Sequence, residues 1–115
     1  MSKEPLTIED FPGTANGCRI LRLNGPILIS NLFDFQARVR SNTSRSLVLD
    51  FTGVPYIDSA GIGALVGAYV NHQKDGRSLA LVGVSERILN SLKVTRVDSF
   101  FRLYDSITAA ESACA

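Results

Sequence analysis

The sequence predicts an α/β fold: a mostly parallel central sheet with an N-terminal antiparallel hairpin and about four helices. Two observations lead to this prediction. Residues 6–9 and 18–23 alternate apolar and polar side chains around an Asn16-Gly17 pair, which is typical of a β-hairpin. After the hairpin, continuous apolar runs alternate with segments of helical periodicity, and such alternation favours parallel strands joined by helices.

The first half of the chain supplies the hairpin, one helix and a central strand. Residues 24–26 (Asn-Gly-Pro) break the second strand, and Ser30 or Asn31 is placed to cap a helix that runs to about residue 40. Residues 47–51 form a nearly continuous apolar run, as expected for a central strand covered on both faces. Core side chains are predicted at Cys18, Ile20 or Leu21, Leu23, Leu32, Phe35 and Val39.

The second half repeats the strand and helix pattern. Residues 79–84 predict a buried strand, and Ser85 with Glu86 opens the next helix. Residues 100–104 predict a short extended segment, after which Asp105 or Ser106 caps a last short helix. All of this is expected to form a single domain over residues 1–115, with its core at about residues 6–110 and short tails.

The central helix lies between these halves. Its apolar residues recur at helical spacing, so we expect one buried face. The helix should begin at Asp58 or Ser59, since both types accept bonds from a first turn, and end near residues 75–76 (Asp-Gly). The predicted buried stripe consists of Ile62, Leu65, Val66, Tyr69 and Val70.

The opposite face of the central helix carries small residues instead of the usual charged ones. These are Ala64, Gly67 and Ala68, with Gly63 on the flank. Each glycine lowers helix propensity by about 1 kcal/mol relative to alanine, so another interaction should compensate. Two explanations are open: close docking of a partner, or cover by another helix of the same chain.

Composition excludes several function classes. Of 115 residues, 45% are hydrophobic and 20% charged, and 12 Lys and Arg against 11 Asp and Glu give a net charge of +1. No overall field would attract nucleic acid. No apolar run reaches the roughly 18 residues of a membrane span, and the N-terminus lacks the apolar core of a secretion signal. We therefore expect a cytoplasmic protein without nucleic-acid partners or direct membrane insertion.

Few residues suggest catalysis. The one histidine, His72, falls in the last turn of the central helix, where a cation is favourable. It lies on the order of 20 Å along the helix from Ser59, too far for proton transfer. Asp50, Asp58 and Asp98 have no spacing that demands convergence, and Cys18 and Cys114 lack metal-ligand spacing. We expect no enzymatic activity, no catalytic residues, no metal and no cofactor.

Residues 47–65, LVLDFTGVPYIDSAGIGAL, closely resemble the signature of the STAS family, which sulfate transporters and anti-sigma factor antagonists share. In that family an Asp-Ser/Thr-x-Gly-Leu/Ile-Gly turn follows the third strand region, and its hydroxyl residue is phosphorylated. Further similarity covers residues 79–85, 88–95 and 101–110, so the resemblance extends over about residues 6–110. The resemblance implies that Ser59 is the phosphorylation site, whereas its sequence position alone is equally explained by a plain helix cap.

The resemblance implies an anti-sigma factor antagonist. Such a protein, when unphosphorylated, binds a serine kinase that doubles as an anti-sigma factor, and phosphorylation of Ser59 releases it. A serine phosphatase resets this partner switch, and ATP belongs to the kinase. The surface implied for partner binding comprises Asp58, Ser59, Ala60, Gly61, Ile62, Gly63, Ala64, Gly67 and Ala68.

Two departures from the family pattern keep alternatives open. Leu28 stands where the family often has a carboxylate, and Arg96 replaces a glycine after the third helix. We therefore expect an intact fold with a retuned interface. One alternative is a STAS subunit without a phosphoswitch, for example in a lipid-transport ATPase complex of the membrane; another is a small-ligand or nucleotide-binding domain. A transporter STAS region is excluded for the chain as given, because it contains no membrane segment.

Overall fold

The computed structural model describes residues 5–114 and contains one five-stranded sheet in the order β1-β2-β3-β4-β5. Four α-helices and one 3-10 helix connect or follow the strands. The strands are β1 Thr7–Pro12, β2 Cys18–Asn24, β3 Ser46–Gly53, β4 Ser78–Val82 and β5 Arg102–Tyr104. The helices are α1 Leu32–Ser41, α2 Ser59–Lys74, α3 Glu86–Val94, α4 Ile107–Cys114 and the 3-10 helix Asp98–Phe100.

The sheet topology confirms the predicted fold class. Strands β1 and β2 pair antiparallel, and β2, β3, β4 and β5 pair parallel in succession. Gly17 closes the hairpin with φ +79°, a left-handed conformation that costs glycine little. The helices after β2, β3 and β4 return the chain across the sheet, so α1, α2 and α3 all end at the edge where the parallel strands begin.

The predicted central strand lies in the middle of the sheet. Leu49 of β3 pairs with Leu21 of β2 and Leu81 of β4, and all three are fully buried. One face of the sheet packs against α1, α2 and α3, and the other packs against α4 through residues such as Val48 and Ala110. Because both faces are covered, the strand reads as a continuous apolar run.

The central helix α2 has the predicted ends but a rotated buried face. Ile62 and Leu65 are buried as predicted, whereas Val70 is 44% exposed, and that part of the prediction is wrong. Ala68 and His72 are buried instead. Helix α1 packs against α2, so the buried sector of α2 extends from the sheet towards α1. No helix within residues 5–114 has the length and apolarity needed to cross a membrane.

Arg96 keeps the backbone geometry of the glycine that it replaces. Its φ is +61°, and the amides of Arg96 and Val97 donate to the carbonyls of Lys93 and Leu92 at 3.0 Å each. These two bonds form a Schellman motif at the end of α3. Helix α3 therefore keeps a glycine-type C-cap, although a non-glycine residue is less favourable here by roughly 1 kcal/mol or more.

His72 occupies the predicted last turn of α2 but is buried, with 1% of its surface exposed. Its Nδ1 lies 2.8 Å from the carbonyl oxygen of Ala68, which accepts only, so Nδ1 carries the proton. Burial lowers the pKa of His72; the bond to Ala68 opposes this, and nearby Arg77 reinforces it. His72 is therefore neutral near pH 7, and its interpretation as a favourable cation is wrong.

Acidification should destabilise the fold through His72. Because the pKa is lowered in the folded state, the unfolded chain binds the proton first, and stability declines as pH falls below about 6.5. Each unit of lowering removes at most about 1.4 kcal/mol at the acid limit. Urea unfolding at about pH 7.5 and about pH 5.5 measures this loss in the wild type and in His72→Asn, whose amide is able to donate to Ala68. An equal pH dependence in both proteins would contradict the assignment.

Candidate functional site

Asp58 holds the start of α2 through both oxygens of its carboxylate. Its Oδ1 accepts a bond from the Gly61 amide at 2.8 Å, and its Oδ2 accepts one from the Ile29 amide at 3.0 Å. The Asp58 backbone is extended, at φ −92° and ψ 179°, as expected for an N-cap residue. A single side chain thus caps the helix and ties it to the loop before α1.

Ser59 is the first residue of α2 and is exposed. Its hydroxyl makes no hydrogen bond to any residue in the described part of the chain. The capping role that offered an alternative explanation for Ser59 belongs to Asp58. The Ser59 hydroxyl therefore faces solvent at a helix N-terminus, where unpaired amides and the helix dipole favour an anion.

The loop at residues 27–31 is fixed beside Ser59 by backbone and side-chain bonds. The Asp58 amide donates to the Ile27 carbonyl at 3.1 Å. Within the loop, Asn31 Oδ1 accepts from the Leu28 amide and Asn31 Nδ2 donates to the Pro26 carbonyl, each at 2.9 Å. Leu28, which stands where the family often has a carboxylate, is half-buried in this loop.

A groove of about 620 Å³ runs between α1 and α2. One side presents Ile29 and Phe33, whose exposed fractions are 62% and 73%. The other side presents Gly63 and Gly67, where an added Cβ would meet nothing within 4 Å. Cover by the chain itself thus accounts for Ala68, which is buried. Gly63 and Gly67 stay open, and docking of a partner there stays a prediction.

The nine predicted partner-binding residues divide by exposure. Ser59, Gly63 and Gly67 are exposed, and Asp58, Ala60 and Ala64 are half-buried. Gly61, Ile62 and Ala68 are buried, so their own chain covers them. The periodicity of α2 predicted burial for Ile62, whereas it placed Ala68 on the opposite, open face.

Sequence reasoning missed the residues on the α1 side of the groove. Phe33 lies off the buried stripe of α1 that Leu32, Phe35 and Val39 predict, and this offset was the available signal that a large apolar side chain is exposed. Ile29 gave no such signal, since its position depends on the bond from its amide to Asp58. Arg87 was also missed; its guanidinium lies 4.8 Å from the ring centre of Tyr56, near the start of α2.

The carboxylates of Asp50 and Asp98 do not join this site. Burial raises the pKa of Asp50, but bonds from the Thr52 side chain and amide, and from Arg22, outweigh it and hold the pKa below its usual value. Asp98 lies in the 3-10 helix before β5, at the opposite edge of the sheet. Within residues 5–114, no three His, Cys, Asp or Glu residues cluster closely enough to hold a metal ion.

The STAS domain family model matches residues 13–110. This chain belongs to the STAS family. The match contains the Asp-Ser-x-Gly turn, and it confirms the resemblance seen in the sequence.

Two curated relatives are anti-sigma-B factor antagonists of Listeria species. The anti-sigma-B factor antagonist of Listeria monocytogenes is 32% identical over 57 residues, which is half of each chain. This chain thus spans about half the length of the curated relatives it matches.

Solved structures share the fold. The unphosphorylated form of SpoIIAA, an anti-sigma factor antagonist of Bacillus, is 12% identical to this chain. The two structures match with a TM-score of 0.75 over 94% of this chain and 96% of SpoIIAA. For the phosphorylated form of SpoIIAA the TM-score is 0.71, over 93% of this chain and 99% of SpoIIAA. A sulfate transporter family protein of Wolinella succinogenes is 26% identical, with a TM-score of 0.73 over 88% and 87%.

The glycines of α2 should respond oppositely to alanine. In Gly61→Ala the new Cβ would lie 2.5 Å from Ile57 Cγ1 and 2.6 Å from the Ile27 carbonyl oxygen, so we expect destabilisation of about 1–3 kcal/mol. In Gly63→Ala and Gly67→Ala the open space should permit a gain of up to about 1 kcal/mol each. Urea unfolding of the three variants measures the sign, and stabilisation by Gly61→Ala would refute the tight contact.

Removal of the Asp58 carboxylate should loosen two elements together. Asp58→Ala leaves the Gly61 and Ile29 amides without this acceptor, and we expect a loss of about 1–2 kcal/mol. Ser85→Ala is the matched control, since Ser85 caps α3 through one bond to the Ile88 amide at 3.2 Å. Hydrogen exchange should show faster exchange at Ile29 only in Asp58→Ala; unchanged exchange there would contradict the double role.

Proposed function

We propose that this chain is an anti-sigma factor antagonist whose phosphorylation at Ser59 switches partner binding. The observation that carries the proposal is the Ser59 hydroxyl, exposed at a helix N-terminus and free of the capping role that Asp58 performs. Membership of the STAS family and the antagonist relative in Listeria support it. The proposed cycle needs no catalytic group or cofactor on this chain.

A phosphoryl group on Ser59 would change the local charge strongly. It would add about −1.5 to −2 charges next to the Asp58 carboxylate. The α2 N-terminus would tolerate the dianion in the free protein. A docked partner would have to desolvate it beside Asp58, and a loss of 3 to 5 kcal/mol would weaken binding by roughly 10² to 10⁴-fold.

The groove between α1 and α2 is the proposed docking surface. Phe33 and Ile29 offer exposed apolar contacts, and Gly63 and Gly67 let a partner approach the α2 backbone closely. Ser59 begins the same helix, and Ala60 lines the groove. A partner seated in the groove would thus lie next to the modified hydroxyl.

The proposed partners are an anti-sigma factor serine kinase, which uses ATP to phosphorylate Ser59, and a serine phosphatase that reverses the modification. The proposed compartment is the cytoplasm, where bacterial transcription takes place. A constitutive subunit of a membrane ATPase complex is the second candidate. The apolar Leu28 in the loop beside Ser59 favours it, since this loop lacks the family carboxylate.

Variants of Ser59 test the switch. We expect wild type and Ser59→Ala to retain a kinase-like ATPase from native cell lysate, and Ser59→Asp to retain at least tenfold less, because its carboxylate carries part of the charge of a phosphoryl group. Bound proteins are identified by mass spectrometry. Ser99→Asp is the matched control, since Ser99 is exposed in the 3-10 helix, away from α2's first turn.

The outcomes separate the two candidates. Loss of the partner in Ser59→Asp but not in Ser99→Asp supports the switch. Recovery of one partner by all four proteins at equal yield contradicts it and favours a constitutive subunit. Incubation of the recovered ATPase with ATP and wild type should also phosphorylate Ser59, and a phosphate on another residue would overturn the assignment.

A further inference from the structure

A row of cations lies along the edge of the sheet where the parallel strands begin. The groove between α1 and α2 is lined, at its end nearest this edge, by Arg40, Lys74 and Arg77. Arg77 and Arg102 share a second cavity, of about 440 Å³, and Arg45 and Arg102 share a third, of about 240 Å³. These five residues are called the basic edge below.

The basic edge concentrates charge that the whole chain does not show. Among the residues that line the three cavities, Asp75 is the one carboxylate. Five cations against one carboxylate give a formal excess of four positive charges, whereas the chain carries +1. The remaining residues therefore carry a formal net charge of −3, so positive charge is concentrated at the basic edge.

Helix dipoles explain only part of the row. Arg40 and Lys74 lie in the last turns of α1 and α2, where cations are favourable. Arg77 precedes β4 and donates to the carbonyl of Asn42, the C-cap residue of α1. Arg45 precedes β3 and Arg102 opens β5, where no helix end calls for a cation. Arg45 and Arg77 lie on neighbouring strands about 4.8 Å apart, because Ser46 pairs with Ser78. Arg102 pairs with Ala80 and so lies farther along the sheet, but it lines cavities together with each of the other two arginines.

Most of these charges are not neutralised within the chain. Arg77 donates to the Asn42 carbonyl at 2.7 Å and to Asp75 at 3.0 Å. Arg40, Arg45, Lys74 and Arg102 make no side-chain hydrogen bond or ion pair among residues 5–114. Four cationic groups thus remain available to an external anion.

An exposed apolar ring accompanies the cations. Phe100 is 42% exposed and lines the cavity that Arg77 and Arg102 share. One face of its ring stacks on Tyr69 at a centroid distance of 5.4 Å, so that face is closed to a nucleic-acid base. Cations beside an exposed apolar edge match the headgroup region of an anionic bilayer better than single-stranded nucleic acid, whose recognition uses free aromatic faces.

We propose that the basic edge binds the surface of an anionic lipid bilayer. The excess negative charge on the rest of the chain would orient the molecule with this edge towards the lipid phosphates. Helix α2 spans about 22 Å between Ser59 and Lys74, so the Ser59 end would point away from the bilayer. The contact is peripheral and electrostatic, with no inserted segment, and it does not depend on the function proposed for Ser59.

Vesicle co-sedimentation with the full chain tests the proposal. The probes are phosphatidylcholine vesicles with and without about one-third phosphatidylglycerol, at low salt and at about 0.5 M NaCl. Wild type should bind only the phosphatidylglycerol vesicles, and high salt should abolish binding because screening shortens the range of the charges. Arg45→Gln with Arg102→Gln should weaken binding about 30-fold, from roughly 1 kcal/mol per cation.

The matched control removes two charges elsewhere. Arg22→Gln with Arg87→Gln changes net charge equally, near the carboxyl end of β2 and at the start of α3, and should leave binding within a few-fold of wild type. Equal loss in both double variants would overturn the proposal, since binding would follow net charge alone. Absence of wild-type binding at low salt, or tighter binding to a single-stranded oligonucleotide than to vesicles, would also overturn it. Circular dichroism verifies that both variants are folded.

Discussion

The two hydrogen bonds of the Asp58 carboxylate fix the geometry on which the candidate site depends. One oxygen binds the first turn of α2 and the other binds the loop before α1, so one ionised group sets the position of Ser59 relative to Ile29. Bonds to a charged acceptor are stronger than neutral ones. A phosphoryl group on the adjacent residue would repel this carboxylate and offer a second acceptor to the same amides. Phosphorylation of Ser59, as proposed, would therefore add charge at the point where α2 and the loop before α1 join.

The glycines of α2 show how one residue type serves two opposite needs. At Gly61 the helix approaches the Ile27 carbonyl and the Ile57 side chain so closely that no Cβ fits. At Gly63 and Gly67 the surroundings are empty, so packing within this chain does not require glycine there. Their unfavourable helix propensity is uncompensated by the fold. Close approach by the proposed partner would supply a reason for glycine at these two positions.

Sequence patterns were sufficient for the fold but not for the site's surface. The strands were predictable because β3 and β4 are covered on both faces, and burial on both faces leaves an unmistakable apolar run. The rotation of α2 was not, since an alanine and a histidine carry no strong apolar signal, yet α1 buries Ala68 and the core buries His72. Asp58 and Ser59 were equally good caps by residue type. The extended backbone of Asp58 and the bond from the Gly61 amide to its Oδ1 distinguish them.

The two ends of α2 are too far apart for a phosphoryl group at Ser59 to act strongly on the cations near Lys74. Ser59 and Lys74 are about 22 Å apart, more than twice the roughly 8 Å over which salt screens exposed charges under physiological conditions. A dianion at Ser59 would therefore change the field at the basic edge little through solvent. Coupling between the ends would require movement of α2 itself, and the Gly61 contact and the buried His72 hold that helix near both ends. The proposed partner and the proposed bilayer contact still share one groove, because Arg40, Lys74 and Arg77 line it together with Ala60 and Gly63. A partner that filled the whole groove would therefore compete with the bilayer for these cations.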